Sequence, residues 1–185
     1  MSSRTLSFQR AYSLLAKQIA QSKSAEDPAH ATNTMHWMLV LEPTADEVLQ
    51  LAAFGHDVER SLIDRHRADM FDTYEGYKAA HSKRSGEVVS TMLQQAGYTK
   101  RDGERAANII AKGEFTSDEP EAQLLCDADS ISFFDNNAPY YIATQGTEIA
   151  KHKMQFMYAR ASERAQKHIR EVLLTRPELN LLGLV

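Results

Sequence analysis

One cysteine, five prolines and eight glycines in 185 residues are few, and each scarcity excludes something. A lone Cys126 cannot form an internal disulfide, which fits a reducing compartment. Beside Asp127 in an apolar segment it reads as a small packed side chain, not a nucleophile. So little proline and glycine leaves no room for a low-complexity linker, and no internal repeat is visible. No apolar run approaches the roughly 20 residues that span a bilayer. Met1-Ser2-Ser3-Arg4 leads into an amphipathic segment without the apolar core of a signal peptide, so the expectation is a cytoplasmic protein with no membrane contact. Positive charge is also short. A formal net charge of -4 argues against a broad phosphate-tracking surface for long nucleic acid. Small phosphorylated ligands stay open, because a metal and about two or three local cations suffice to bind them.

What is present is helical periodicity. With 43% hydrophobic and 25% charged residues the composition is that of a globular domain, and the length suits one hydrophobic core, since single domains commonly run to roughly 100–200 residues. Apolar residues recur at helical spacing (Leu6, Leu14, Ile19; Met35, Met38, Leu39; Val48, Leu51, Ala52), while strand-type alternation is scarce. The pattern predicts an all-α fold, residues 1–185 forming a single compact bundle of six to seven helices. These are expected near 4–21, 29–42, 45–54, 73–96, 101–112, 119–135 and 147–174, within about two to four residues. Punctuation agrees. Asp27-Pro28 reads as an N-cap followed by proline in the first turn, which places His30 near a helix start. Thr44-Ala45-Asp46-Glu47 reads as a capping box, and Gly55, Gly97 and Gly113 read as helix stops.

The chemistry gathers around His56-Asp57, which directly follows the apolar run Leu51-Ala52-Ala53-Phe54-Gly55. A divalent cation needs several deprotonated N and O donors from different parts of the chain. Imidazole with carboxylate suits Mn, Fe, Co, Ni, Zn and, less well, Mg. His30 stands 26 positions before His56 (56 minus 30) and Asp129 stands 72 after Asp57 (129 minus 57), each separated from the pair by helical segments that can fold back on it. His36 and Asp127 are the nearest substitutes for His30 and Asp129. Pro43 leaves His36 little helix behind it.

His30, Ala53-Phe54-Gly55-His56-Asp57 and Asp127-Ala128-Asp129 together resemble the His…His-Asp…Asp signature of the HD-domain superfamily of metal-dependent phosphohydrolases, over about residues 27–135. The wider string, with Asn33-Thr34, Trp37, Val58-Glu59-Arg60 and Ser130-Ile131-Ser132-Phe133-Phe134, is similar to a poorly characterised branch of predicted HD hydrolases. The resemblance implies an HD-type bundle in which His30, His56, Asp57 and Asp129 ligate one divalent ion. It places Asp127 behind them, orienting a ligand imidazole. Residues His81 to Val89 resemble the segment that supplies binuclear HD enzymes with an extra histidine, but Ala111-Lys112-Gly113-Glu114-Phe115 lacks the His-Glu pair often found there. A single metal is therefore expected, with His81 contacting a substrate phosphate and Lys112 standing where a second ion would sit.

The implied activity is hydrolysis of a small phosphorylated compound, nucleotide-like by analogy with the superfamily. Glu59 is assigned to water orientation or proton transfer and Arg60 to phosphate binding, because a guanidinium matches two phosphate oxygens. In other HD enzymes the acidic helper often sits one residue further on. A local Glu59-Arg60 ion pair competes evenly with this assignment. Lys78 shares a helical face with His81 and Ser85, and Lys153 with Arg160, so each set can line a pocket wall or simply face solvent. His66, His152 and His168 sit among charged residues and read as surface. Phe133-Phe134 and the stripe Met154, Phe156, Met157 and Tyr158 read as core or dimer contact, and the apolar tail Leu179 to Val185 as docked on the body or on a second copy in a homodimer. Two rivals stand beside the hydrolase. One is a catalytically quiet, metal-containing binding or regulatory module. The other is an iron oxygenase, which would need a second set of ligands.

Overall fold

A computed structural model of the chain describes residues 4–185. Those residues form nine α-helices and no strand. The helices are α1 (Leu6–Ile19), α2 (Asp27–Leu41), α3 (Glu47–Gly55), α4 (Tyr74–Gln95), α5 (Lys100–Gly113), α6 (Pro120–Ser132), α7 (Ala138–Gln145), α8 (Thr147–Arg160) and α9 (Glu163–Thr175). The all-α expectation holds, while the helix count is higher than the six to seven read from the sequence. Residues 1–3 of the expected single domain lie outside the described residues.

Local chemistry sets most boundaries. Thr5, Asp46, Thr73, Thr99 and Ser162 each accept a backbone N–H of the following first turn, at α1, α3, α4, α5 and α9. The α3 cap is Asp46, whose carboxylate takes the Leu49 N–H at 2.9 Å, and not the Thr44 of the expected capping box; the Thr44 hydroxyl donates instead to Glu42. Nor does Asp27 cap α2. It is the first helical residue, and its carboxylate accepts from the Ser22 hydroxyl and pairs with Arg60. Gly97 ends α4 with φ +102, a conformation that side chains with a Cβ rarely adopt.

Two departures occur in the C-terminal third. The expected helix 119–135 ends at Ser132 and continues as a π turn, Phe133–Asn137, into α7, which was not foreseen. The segment Asn136-Asn137-Ala138-Pro139 looks like a loop in sequence, but Pro139 lies in the first turn of α7, where its missing N–H costs nothing. The expected helix 147–174 is broken at Ala161-Ser162, both in extended conformation. The break is held by Asp127 of α6, whose carboxylate accepts the Ser162 N–H at 2.8 Å and its hydroxyl at 2.5 Å. A tertiary contact thus overrides helical periodicity.

The core is one cluster running through α1, α2, α3, α4, α5, α6, α8 and α9, with Phe8, Leu15, Met38, Leu51, Leu93, Ile109, Leu125, Ile131 and Met154 fully buried. Each such side chain contributes about 1.5–3 kcal/mol of burial. Phe133, Phe134, Met154 and Met157 are core residues, and the tail docks on the body through Leu179, Leu181, Leu182 and Leu184. Two glycines permit close helix approach. A Cβ at Gly86 of α4 would meet the Ala107 backbone of α5 at 2.8 Å, and one at Gly55 would meet the Val89 side chain of α4 at 2.6 Å. The Gly55 contact brings the end of α3 hard against α4. His56-Asp57 leaves the helix at that point, Asp57 at φ −105, and a 3₁₀ turn over Val58–Ser61 follows.

Candidate metal centre

Three elements deliver four donors to one place. His30 comes from the first turns of α2, His56-Asp57 from the end of α3, and Asp129 from the last turn of α6. One ligand atom from each of His30, His56 and Asp129 falls within 4.8 Å of the others. His30 Nε2 is 3.0 Å and His56 Nε2 3.4 Å from Asp129 Oδ1. Asp57 Oδ2 lies beside this trio, 3.9 Å from His30 Nε2 and 3.8 Å from His56 Nε2. His36 is exposed on another face of α2 and Asp127 is engaged at the α8–α9 break, so neither substitutes. The expected role of Asp127 in orienting a ligand imidazole is corrected accordingly.

The partners of the two imidazoles fit a cation. His56 Nδ1 donates to the Ala53 carbonyl at 2.9 Å. His30 Nδ1 lies 2.9 Å from the Ser132 hydroxyl, which itself donates to the His30 carbonyl and so accepts from the ring. Both rings therefore point Nε2 at the carboxylates, and the buried His56 Nε2 has no hydrogen-bond partner. An orphaned imidazole nitrogen facing two carboxylates is the arrangement a divalent ion satisfies. Burial disfavours charge on His56, but Asp57 and Asp129 outweigh it and lift the imidazole to about 9. Burial likewise works against the Asp57 and Asp129 carboxylates. His56, His81 and Arg60 hold Asp57 well below the usual range, and Arg160 and His56 do the same for Asp129.

Behind the donors lies a buried relay. His81 of α4, 1% exposed, is 2.8 Å from Asp57 Oδ1 through Nε2 and 2.8 Å from Glu59 Oε2 through Nδ1. Each ring nitrogen faces a carboxylate oxygen, an arrangement that favours the doubly protonated imidazolium, and these two contacts outweigh burial and raise the His81 pKa. Glu59 is 0% exposed, and it also accepts the His66 backbone N–H. Burial pulls its pKa up, but the bonds from His81 and His66 prevail and lower it. The expectations for these two residues are therefore corrected. His81 is turned onto Asp57 and not toward a ligand phosphate, and Glu59 is sealed behind His81, out of reach of water in the cleft.

Other expected residues divide. Arg60, Lys78 and Lys153 line a cleft of about 230 Å³ that opens over His30, Asp57 and Asp129. Arg60 also pairs with Asp27 at 3.1 Å and Asp57 at 3.4 Å, so it reaches the cleft, and the local Glu59-Arg60 ion pair does not form, Glu59 facing His81 and His66 instead. Arg160 is buried. It donates to Ser130 Oγ at 3.1 Å, to the Glu114 carbonyl at 2.7 Å and to Asp129 Oδ2, and so steadies a donor in place of lining the wall. Lys112 does not reach the site: half-exposed, it pairs with Glu119.

Glu114 was missed. It is buried, 3.0 Å from Lys78 and 3.4 Å from Arg160, and so balances the cations at the back of the cleft. Its signal was a carboxylate set between Gly113 and Phe115 where a helix stops. Asn137, Tyr140 and Tyr141, from the π turn and α7, also line the cleft. They could not be found without knowing that α7 folds over it.

The family model described as Domain of unknown function (DUF4202) matches residues 12–182. No curated protein and no solved structure matches the chain.

Proposed function

The chain belongs to the family described as domain of unknown function (DUF4202), and from its site we propose a metal-dependent phosphohydrolase of HD type acting in the cytoplasm on a small, nucleotide-like phosphorylated compound. The observation that carries this reading is the convergence of His30, His56 and Asp129 within 4.8 Å, with the partnerless Nε2 of His56 among them. With Asp57 these residues would hold one divalent ion. When bound, such an ion supplies Lewis acidity toward a phosphoryl oxygen and makes water a better nucleophile at neutral pH.

The protein's own residues supply the rest. Arg60 and Lys78, on the cleft wall beside Asp57 and Asp129, bind the phosphoryl oxygens and offset negative charge as it spreads during transfer. Lys78 is held fully charged, because the carboxylates of Glu114 and Asp57 outweigh its burial. Asp57 is oriented by the His81 imidazolium and Asp129 by Arg160. Both therefore enter the site as pre-positioned, ionised donors.

His56→Ala and Asp129→Ala test the reading by elemental analysis and by a phosphatase screen over Mn, Fe, Co, Ni, Zn and Mg. Variants that keep both bound metal and turnover would overturn it. One observation favours the second reading, a metal-containing binding module without turnover: Glu59, the expected water-steering carboxylate, is buried away from the cleft. Ligand-induced stabilisation without chelator-sensitive turnover would decide for that module.

A further inference from the structure

A second basin of about 390 Å³ adjoins the metal-centre cleft and shares Arg60, Lys78, Tyr141 and Lys153 with it. Its outer wall is the 62–73 loop and the start of α4, including Arg65, His66, Arg67 and Tyr77. Among the described residues no aspartate or glutamate lines this basin, although five Lys and Arg residues do and the chain as a whole carries a formal charge of -4. The carboxylates that balance Arg60 and Lys78, namely Asp27, Asp57 and Glu114, stand outside it. Arg65 and Lys153 form no ion pair among the described residues; the Lys153 ammonium stands over the rings of Phe133 and Phe156. Burial, with Lys78 and Arg160 close by, brings the Lys153 ammonium down to about 7. Like charges crowded on one concave wall with their acids excluded are a configuration that an anion relieves.

We infer that this basin is a subsite for a second phosphate-type group, so that the ligand spanning the cleft carries two phosphoryl groups, one over the metal centre and one against Arg65 and Arg67. Arg60, Lys78 and Lys153 stand between the two positions and bridge them. Tyr74, Tyr77 and Tyr141 give the linking part of the ligand an apolar surface with polar rims. Arg67 also bonds Asp69 through two nitrogens at 3.0 Å in an exposed pair, and exposed pairs are weak enough for a phosphate to compete. The inference rests on the phosphate-binding part of the proposed function and not on turnover.

Calorimetry on the full chain can compare matched ligands, AMP with ADP and fructose 6-phosphate with fructose 1,6-bisphosphate, at fixed Mn²⁺ and low salt. The second phosphate should raise affinity about tenfold or more in at least one pair, as one or two charge-assisted bonds would, and added salt should erode that ratio. In the double variant Arg65→Ala/Arg67→Ala the ratio should fall toward one. In the control Lys100→Ala/Arg101→Ala, which removes the same charge from the exposed start of α5, it should persist. A ratio near one for both pairs in the unmodified protein, or an undiminished ratio in the Arg65/Arg67 variant, overturns the subsite. A ratio that behaves as expected while no metal supports turnover upholds the subsite and removes the hydrolase.

Discussion

Glu59→Gln separates a carboxylate that acts on water from one that positions a donor. The side chain is 0% exposed and accepts two bonds, from His81 Nδ1 at 2.8 Å and from the His66 backbone N–H, with Arg84 Nη1 3.9 Å away. Glutamine keeps the volume but offers one acceptor oxygen, so its amide NH₂ must face one of two donors. Losing one charge-assisted bond costs about 1.5–3 kcal/mol of stability. Because burial is outweighed and the Glu59 pKa lies below 4.5, its contribution is complete above that value and disappears as pH falls through the lower folded value. The stability gap between wild type and variant should therefore be widest near neutrality and close in acid. His81, whose Nδ1 then meets a neutral amide in place of a carboxylate, should orient Asp57 less well, and metal affinity should drop about 10–100-fold. Denaturant unfolding at several pH values measures the first effect and Mn²⁺ titration calorimetry the second. If Glu59→Gln binds Mn²⁺ and unfolds like wild type while turnover collapses, Glu59 acts on the reacting groups and the relay described above is wrong.

Three further outcomes are expected. Gly86→Ala puts a Cβ 2.8 Å from the Ala107 carbonyl oxygen and 2.9 Å from its Cα. Overpacking of about 1–3 kcal/mol should exceed the helix-propensity gain of about 1 kcal/mol and lower the thermal midpoint, so a raised midpoint refutes the close packing of α4 on α5. Cys126 is fully buried and its thiol is pushed up to about 12 by that burial, so a colorimetric thiol reagent at pH 8 should label the protein only after unfolding; rapid native labelling would contradict this. Arg160→Lys keeps a charge but cannot reach Ser130, the Glu114 carbonyl and Asp129 together, leaving buried acceptors unmet at about 1–3 kcal/mol each. Its unfolding midpoint and its Mn²⁺ affinity should both fall, and wild-type values for both would refute the role given to Arg160.

The legible parts of the site share one property: each is carried by a short segment whose local chemistry suffices. Pro28 in the first turn of α2 places His30, and an unbroken apolar run up to Gly55 places His56-Asp57, whatever the rest of the chain does. The placement of Glu59 is not legible in the sequence for the opposite reason. Three positions from His56, it could face the cleft or the core, and only α4 packing against the 3₁₀ turn brings His81 and Ser85 to it. Lys112 and Arg160 show the same dependence. Both are cations at helix ends, yet one finds Glu119 on the surface and the other is drawn inward by Glu114 and Asp129.

Sequence alone determined that the protein is helical, that α3, α4 and α5 end at or next to Gly55, Gly97 and Gly113, and that two histidines and two aspartates have the spacing to meet. These follow from interactions spanning a few residues, or from periodicity along one helix. Tertiary structure decided which partner each charge takes, the break at Ala161-Ser162, and the folding of α7 over the cleft. A buried charge is stable only beside its counter-charge or hydrogen-bond donors. Those partners, such as Asp127 for Ser162 or His81 for Asp57, lie tens of residues away along the chain.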